Sequence, residues 1–106
     1  MRILFDQGTP APLRERLTKH TVTTTRELDW HLLKNGELLG EAEAAGYEAF
    51  VTTDQNLKYQ QNLPGRRLAI AVLMTTSWPR IDKHSVEVAS KIDALVPEDY
   101  VEIQIP

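Results

Sequence analysis

"LAIAVLMTT", residues 68–76, is apolar at almost every position, the pattern of a strand covered on both faces rather than one that turns a side to water. A strand covered on both faces needs helices above and below its sheet, so this run points to an α/β domain. Upstream, "EAFVTT" (48–53) reads as another strand, ended by Asp54, and "QNLKYQQNLPG" (55–65) as a polar helix or turn broken by Pro64 and Gly65. Downstream of Trp78-Pro79, the residues Ile81, Val86, Val88, Ala89, Ile92, Leu95 and Val96 fit one long helix stopped by Pro97, and "YVEIQI" (100–105) alternates like a strand with one exposed face.

The amino-terminal half supplies the remaining elements. "RILF" (2–5) is an apolar run too short for a helix and is expected to be a buried strand. Thr9 is placed to cap a following helix, with Pro10 and Pro12 in its first turn and Leu13 and Leu17 on one face. "TVTTTREL" (21–28) is β-branched and mostly polar, which suits a strand near an edge. Leu38, Leu39, Ala42 and Ala45 have helical spacing in a helix that opens at Asn35 and closes at Gly46. The order β-α-β-α-β-α-β-α-β predicts a three-layer α/β/α sandwich, one domain over residues 1–106, with a mainly parallel sheet of about five strands.

Composition narrows the function. With 42% hydrophobic and 25% charged residues the chain has a globular composition. No apolar run approaches the ~18 residues that span a bilayer, and "MRILFDQGTP" lacks the features of a secretory signal. A cytoplasmic location and no membrane partner are therefore expected. The absence of cysteine excludes a disulfide framework, a thiolate nucleophile and a cysteine-ligated metal. His20, His31 and His84 show no ligand spacing, and no G-x-S-x-G or phosphate-cradling glycine loop is present. A net charge of -3 argues against a broad basic surface for nucleic acid. A local acidic cluster holding divalent cations would change that balance.

The placement of the acids suggests such a cluster. Right-handed crossovers put every strand-to-helix junction on one edge of a parallel sheet. Asp6 follows the first strand, Asp54 follows the third, and Glu37 opens the helix after the second. Three carboxylates are thus expected at one crevice, where Mg²⁺ or Mn²⁺ would find the oxygen ligands it prefers. Each acid also has a plain structural use. Asp54 would cap a helix, Glu37 would favour a helix amino terminus, and neither use conflicts with metal binding. A carboxylate buried at a strand end, as expected of Asp6, needs a partner of some kind. Glu27, Asp29 and Glu41 read as solvated surface. Asn56, two residues past Asp54, suits a neutral fourth ligand or the holding of a ligand water. Gln60, Gln61 and Asn62 can hydrogen-bond nucleobase edges, Tyr59 can stack on a base, and Lys58, Arg66 and Arg67 can contact phosphates. The alternative for this stretch is a polar helix with a solvated arginine pair.

"RILFDQGTP", "KNGELLGEAEAAGYEAFVTTDQNL" and "YQQNLPGRRLAIAVL" together resemble the small bacterial PIN-like (PilT N-terminus-like) proteins regarded as nucleases or as toxins of toxin–antitoxin pairs. They are also similar to the PIN-like ribonuclease domain of Mut-type exonucleases and, more distantly, to VapC-type toxins. The resemblance covers about residues 1–75. It implies a PIN-like sandwich and an acidic pocket that binds Mg²⁺ or Mn²⁺ for RNA cleavage, with Asp6, Glu37 and Asp54 as its acids. It further implies RNA, single-stranded or structured, as substrate and an antitoxin protein as partner; a second copy of the chain, in a homodimer, is a further candidate partner. Gln7 and Gly8 stand where relatives carry a second early acid, and Asn35 and Gly36 where some carry an acidic pair. The fourth acid of many PIN enzymes has no counterpart unless Asn56 replaces it, which favours one metal over two. The rival reading is a catalytically reduced protein-interaction or RNA-binding module. A receiver-like phosphoacceptor domain is disfavoured, because "LAIAVLMTTSWP" offers no lysine.

Overall fold

The computed structural model describes residues 1–60, 63 and 65–106. Five strands, β1 (Arg2–Phe5), β2 (Thr21–Thr24), β3 (Ala49–Thr52), β4 (Ala69–Leu73) and β5 (Tyr100–Ile103), form one sheet in the order β2-β1-β3-β4-β5. Every recorded strand pair is parallel, β4–β5 included. All residues of β3 and β4 are buried, as the unbroken apolar run of β4 requires.

Alternation along the strands divides the core in two. Ile3, Phe5, Val51, Ala71 and Leu73 face a layer built by Leu13 of a 3-10 helix (Ala11–Arg16), Ile81 of α3 (Trp78–Lys83), and Val88 and Ile92 of α4 (Ser85–Asp93). Leu4, Phe50, Ile70 and Val72 face Leu38, Leu39 and Ala42 of α1 (Asn35–Ala44) and Leu57 of α2 (Leu57–Gln60). Helices thus pack on both faces of the sheet, an arrangement compatible with a three-layer sandwich. Among the described residues no helix is long and apolar enough to cross a membrane.

Several local expectations are corrected. Thr9 is not a helix cap: the element after it is 3-10, its cap position is Pro10, and no side chain caps it. Only Ala11 could have donated to a Thr9 cap, because the other amide in reach belongs to Pro12 and has no proton. α1 opens at Asn35 as expected, with Lys34 at its cap position and no side-chain cap. The carboxyl end of α1 is a Schellman turn: Gly46 takes φ 85, its N–H donates to the Glu43 carbonyl at 3.1 Å, and the Tyr47 N–H donates to the Ala42 carbonyl at 3.0 Å. The expected long carboxy-terminal helix is two helices separated at His84. A continuous helix would turn positions 84 and 85 to the core after Ile81, and these are His and Ser; Val86 instead points to solvent, 83% exposed.

Candidate active site at the carboxyl edge of the sheet

The strand order reverses direction between β1 and β3, and in open parallel sheets the crevice beyond the carboxyl ends at such a switch point is where ligands bind. Asp6 leaves β1 and Asp54 leaves β3 at this place. Phe5 is in register with Val51, so Asp6 and Thr52 stand side by side. The Thr52 hydroxyl donates to Asp6 Oδ2, and the Thr9 hydroxyl lies 2.8 Å from Asp6 Oδ1 and 2.9 Å from the Val51 carbonyl oxygen. Thr52 Oγ1 also accepts the Asp54 N–H at 3.0 Å. A single hydroxyl, fully buried, therefore links the two acids.

The partners of the Asp6 carboxylate among the described residues are all neutral: the hydroxyls of Thr52 and Thr9 and the backbone N–H groups of Gly8 and Thr9. Desolvation outweighs these bonds and pushes the Asp6 carboxyl above its ordinary range. Gly8 packs closely beside this network: a Cβ there would stand 2.8 Å from Thr53 Oγ1 and 3.9 Å from Asp6 Oδ1.

Asp54 is held at both oxygens. Oδ1 accepts the Asn56 N–H at 3.0 Å, which opens the turn into α2, and Oδ2 accepts Asn35 Nδ2 at 3.1 Å. Asp54 thus caps the turn into α2, with Asn35 tying α1 to the end of β3. The Asn56 contact runs through its backbone. Gln60 is in the same corner, its Oε1 3.4 Å from Asn35 Nδ2. α2 is anchored by Leu57, which is 1% exposed.

The other expected site residues are distributed as follows. Glu37 is exposed in the first turn of α1, with no hydrogen bond or ion pair among the described residues. Among the described residues no three His, Asp or Glu side chains gather as a metal-holding group, so the expected three-acid convergence is not what the structure displays. Lys58 is ion-paired with Glu102 at 2.8 Å, and its ammonium lies 5.2 Å from the centre of the exposed Tyr59 ring. Glu102 also accepts the Tyr100 hydroxyl at 3.0 Å; burial first, then this bond, pushes the Tyr100 phenol up to about 12. Arg66 is ion-paired with Glu43 at 2.6 Å in the last turn of α1, and the Arg67 N–H donates to the same carboxylate. Both arginines precede β4 and belong to the opposite, amino edge of the sheet, away from Asp6 and Asp54. Gln61 and Asn62 lie outside the described residues.

Of the lesser acids, Glu27 is engaged by Arg14 at 2.6 Å, which holds its carboxyl at about 2, and Asp29 closes a second Schellman turn with φ 58. A cleft of about 500 Å³ between α2 and the start of β5 is lined by Lys58, Leu63, Leu68, Ile70, Glu98, Asp99 and Tyr100, and none of the three expected acids borders it. Sequence reasoning missed Thr9 and Thr52 as members of the acid network. The signal available was their position: each lies within three residues of an acid at a strand end.

No protein-family model, no curated protein and no solved structure matches the chain.

Proposed function

We propose that the chain is a metal-dependent endoribonuclease of PIN-like fold that hydrolyses phosphodiester bonds of single-stranded or structured RNA, acting as the toxin of a toxin–antitoxin pair. The observation that carries this reading is Asp6: a desolvated carboxylate at the switch point of a parallel sheet, held by hydroxyls and with no cationic partner among the described residues. A carboxylate in that state gains by taking up a proton or a cation. The donors around it are hard oxygens, from Asp6, Asp54 and the hydroxyls of Thr9 and Thr52. Such a set suits Mg²⁺ or Mn²⁺.

Asp6 and Asp54 would hold the ion, with Asn56 and a reoriented Glu37 completing the set. The ion would supply positive charge that favours the hydroxide form of water and offsets charge developing on the phosphate. The chain's own groups do the rest. Thr9 and Thr52 fix the Asp6 carboxylate, and Asn35 fixes that of Asp54. Tyr59, 77% exposed, offers a stacking face. Lys58 reaches a phosphate only by leaving Glu102.

Cleavage of single-stranded and structured RNAs with Mn²⁺ tests the reading, using the wild type beside Asp6→Asn/Asp54→Asn. Loss of cleavage in the variant is expected; equal residual activity in the two proteins removes the claim. A second reading, a catalytically reduced RNA-binding or protein-interaction module, is favoured by the absence of a three-acid group among the described residues. Calorimetry showing no Mn²⁺ binding, with RNA or partner-protein binding intact, would select it.

A further inference from the structure

The sheet has two outer strands, β2 and β5, and their free edges differ. In a paired strand the N–H and C=O of one residue face one neighbour, and those of the next residue face the other way. The Thr21 and Thr25 N–H groups donate to the Met1 and Phe5 carbonyls, each at 2.9 Å, so Val22 and Thr24 turn their backbone groups outward. At Thr24 that position is taken: Glu27 Oε1 accepts the N–H at 2.9 Å, and Arg14 holds Glu27 at 2.6 Å. A charged side chain on an outer strand guards it against pairing with another chain.

β5 carries no such guard among the described residues. The Ile70 and Met74 N–H groups donate to the Asp99 and Ile103 carbonyls at 2.8 and 3.0 Å. Asp99, Val101 and Ile103 therefore bond toward β4, and Tyr100 and Glu102 turn their backbone groups outward. Neither of these two has a backbone partner on that side among the described residues. Beyond β5 the chain is held to α3 instead, where Arg80 donates to the Ile105 and Pro106 carbonyls. Both core layers run out to this edge: Val101 packs against one and Tyr100 against the other, each only half-buried.

We propose that β5 is an interface between two copies of this chain, pairing antiparallel with the β5 of a second copy about a two-fold axis at Val101. Because Val101 bonds inward, an axis there lets Tyr100 of each copy exchange N–H and C=O contacts with Glu102 of the other. An axis perpendicular to the sheet also keeps each face continuous. Val101 meets Val101 of the other copy on one face, and Tyr100 meets Glu102 on the opposite face. Charge selects this register. An axis at Glu102 would set two carboxylates against each other, whereas at Val101 each carboxylate faces a phenol ring and brings its own counter-ion, Lys58 at 2.8 Å. The strand thus complements itself, which makes a second copy the occupant. With only four residues in β5 the dimer is weak and depends on concentration. The inference does not rest on the metal reading.

The test is sedimentation velocity over about a hundredfold range of protein concentration, with amide hydrogen exchange, for wild type, Glu102→Gln, Glu102→Pro and Val101→Lys. Both Glu102 variants lose the carboxylate, but only proline loses the outward N–H, and it breaks no bond to β4. Wild type and Glu102→Gln are expected to dimerise as concentration rises, with exchange of the Tyr100 and Glu102 amides in wild type slowing about tenfold. Glu102→Pro should stay monomeric. Val101→Lys keeps every backbone bond and sets like charges across the axis, so it should also stay monomeric, and it decides the matter where proline impairs folding. A wild type that is monomeric throughout overturns the self-pairing and leaves the edge to a strand of another protein. Dimers that persist in Glu102→Pro and Val101→Lys, or that form without slowed exchange at Tyr100 and Glu102, overturn β5 as the surface. Loss of the dimer in Glu102→Gln overturns the backbone pairing in favour of a contact made by the carboxylate.

Discussion

The hydroxyl of Thr9 lies within hydrogen-bond distance of both Asp6 Oδ1, at 2.8 Å, and the Val51 carbonyl, at 2.9 Å, yet it carries one proton. With Asp6 ionised, the two acceptors compete for it. With Asp6 protonated on Oδ1, the acid donates to Thr9 and Thr9 donates to Val51, so both contacts are made. The geometry thus agrees with desolvation in favouring the neutral acid.

The sign of the resulting pH dependence follows. Asp6 has a folded-state pKa above its ordinary 3.8, so the folded state binds this proton more tightly than the unfolded chain. Its stabilising contribution is fully present below 3.8 and is lost as pH rises through the folded-state value. At neutral pH and without metal, Asp6→Asn should therefore raise stability by about 1 kcal/mol, because the amide can accept from Thr52 and donate to Thr9 at every pH. Urea unfolding of the two proteins should show that advantage shrinking as pH falls toward 3.8. Together with loss of cleavage, the same substitution would stabilise and inactivate, the combination expected of a group kept for function.

Thr52 makes the opposite prediction. Its hydroxyl accepts from Asp54 N–H and donates to Asp6, so Thr52→Val keeps the shape and strands both partners. A loss of about 1–3 kcal/mol is expected. Thr52→Ser keeps the hydroxyl and gives up one buried methyl, costing about 1 kcal/mol. Denaturant unfolding should rank wild type above serine and serine above valine; valine equal to wild type would mean that the Asp54–Thr52–Asp6 link is not formed.

These contacts explain how far the sequence could be read. β3, β4 and the helix from Asn35 were legible because apolar runs and helical spacing report burial directly. The junction rule likewise brought Asp6 and Asp54 to one edge. It did not bring Glu37 inward, since a residue in the first turn of a helix faces the crevice only if the helix rotation allows it, and Leu38, Leu39 and Ala42 set that rotation. Arg66 and Arg67 were grouped with the amide-rich turn through chain proximity. In a parallel sheet the residues just before a strand must lie at its amino edge, so their pairing with Glu43 follows from topology rather than from local sequence. The Lys58–Glu102 pair joins residues 44 apart and had no local signature.

Asn35 offers a prediction in which metal offsets the cost of the substitution. Its Nδ2 donates to Asp54 Oδ2 at 3.1 Å, so Asn35→Asp replaces a hydrogen bond with two facing carboxylates. Repulsion of about 1 kcal/mol in a water-like medium, plus the lost bond, should lower the metal-free melting temperature. The added acid also strengthens any cation site at Asp54. A larger Mn²⁺-induced rise in melting temperature than wild type, on a lower starting value, is expected; a variant destabilised equally with and without Mn²⁺ would place the cation elsewhere.

Glu102 controls two groups at once. It holds Lys58 at 2.8 Å and accepts the Tyr100 hydroxyl at 3.0 Å. Glu102→Gln should bring the Tyr100 phenol down from about 12 only part of the way toward 10, because desolvation is the larger cause and remains. Ultraviolet titration of the phenolates reads this. The same substitution releases the Lys58 ammonium beside Tyr59 and removes a negative charge from the rim. RNA affinity should then rise several-fold at low salt, with a steeper dependence on salt concentration because one more cation neutralises phosphate. Lys58→Gln in the Glu102→Gln background should return affinity to the wild-type level or below. Should Glu102→Gln lower the phenol pKa while leaving RNA binding unchanged, Lys58 has no part in holding phosphate, and the α2 rim would be confined to what Tyr59 and Gln60 can reach.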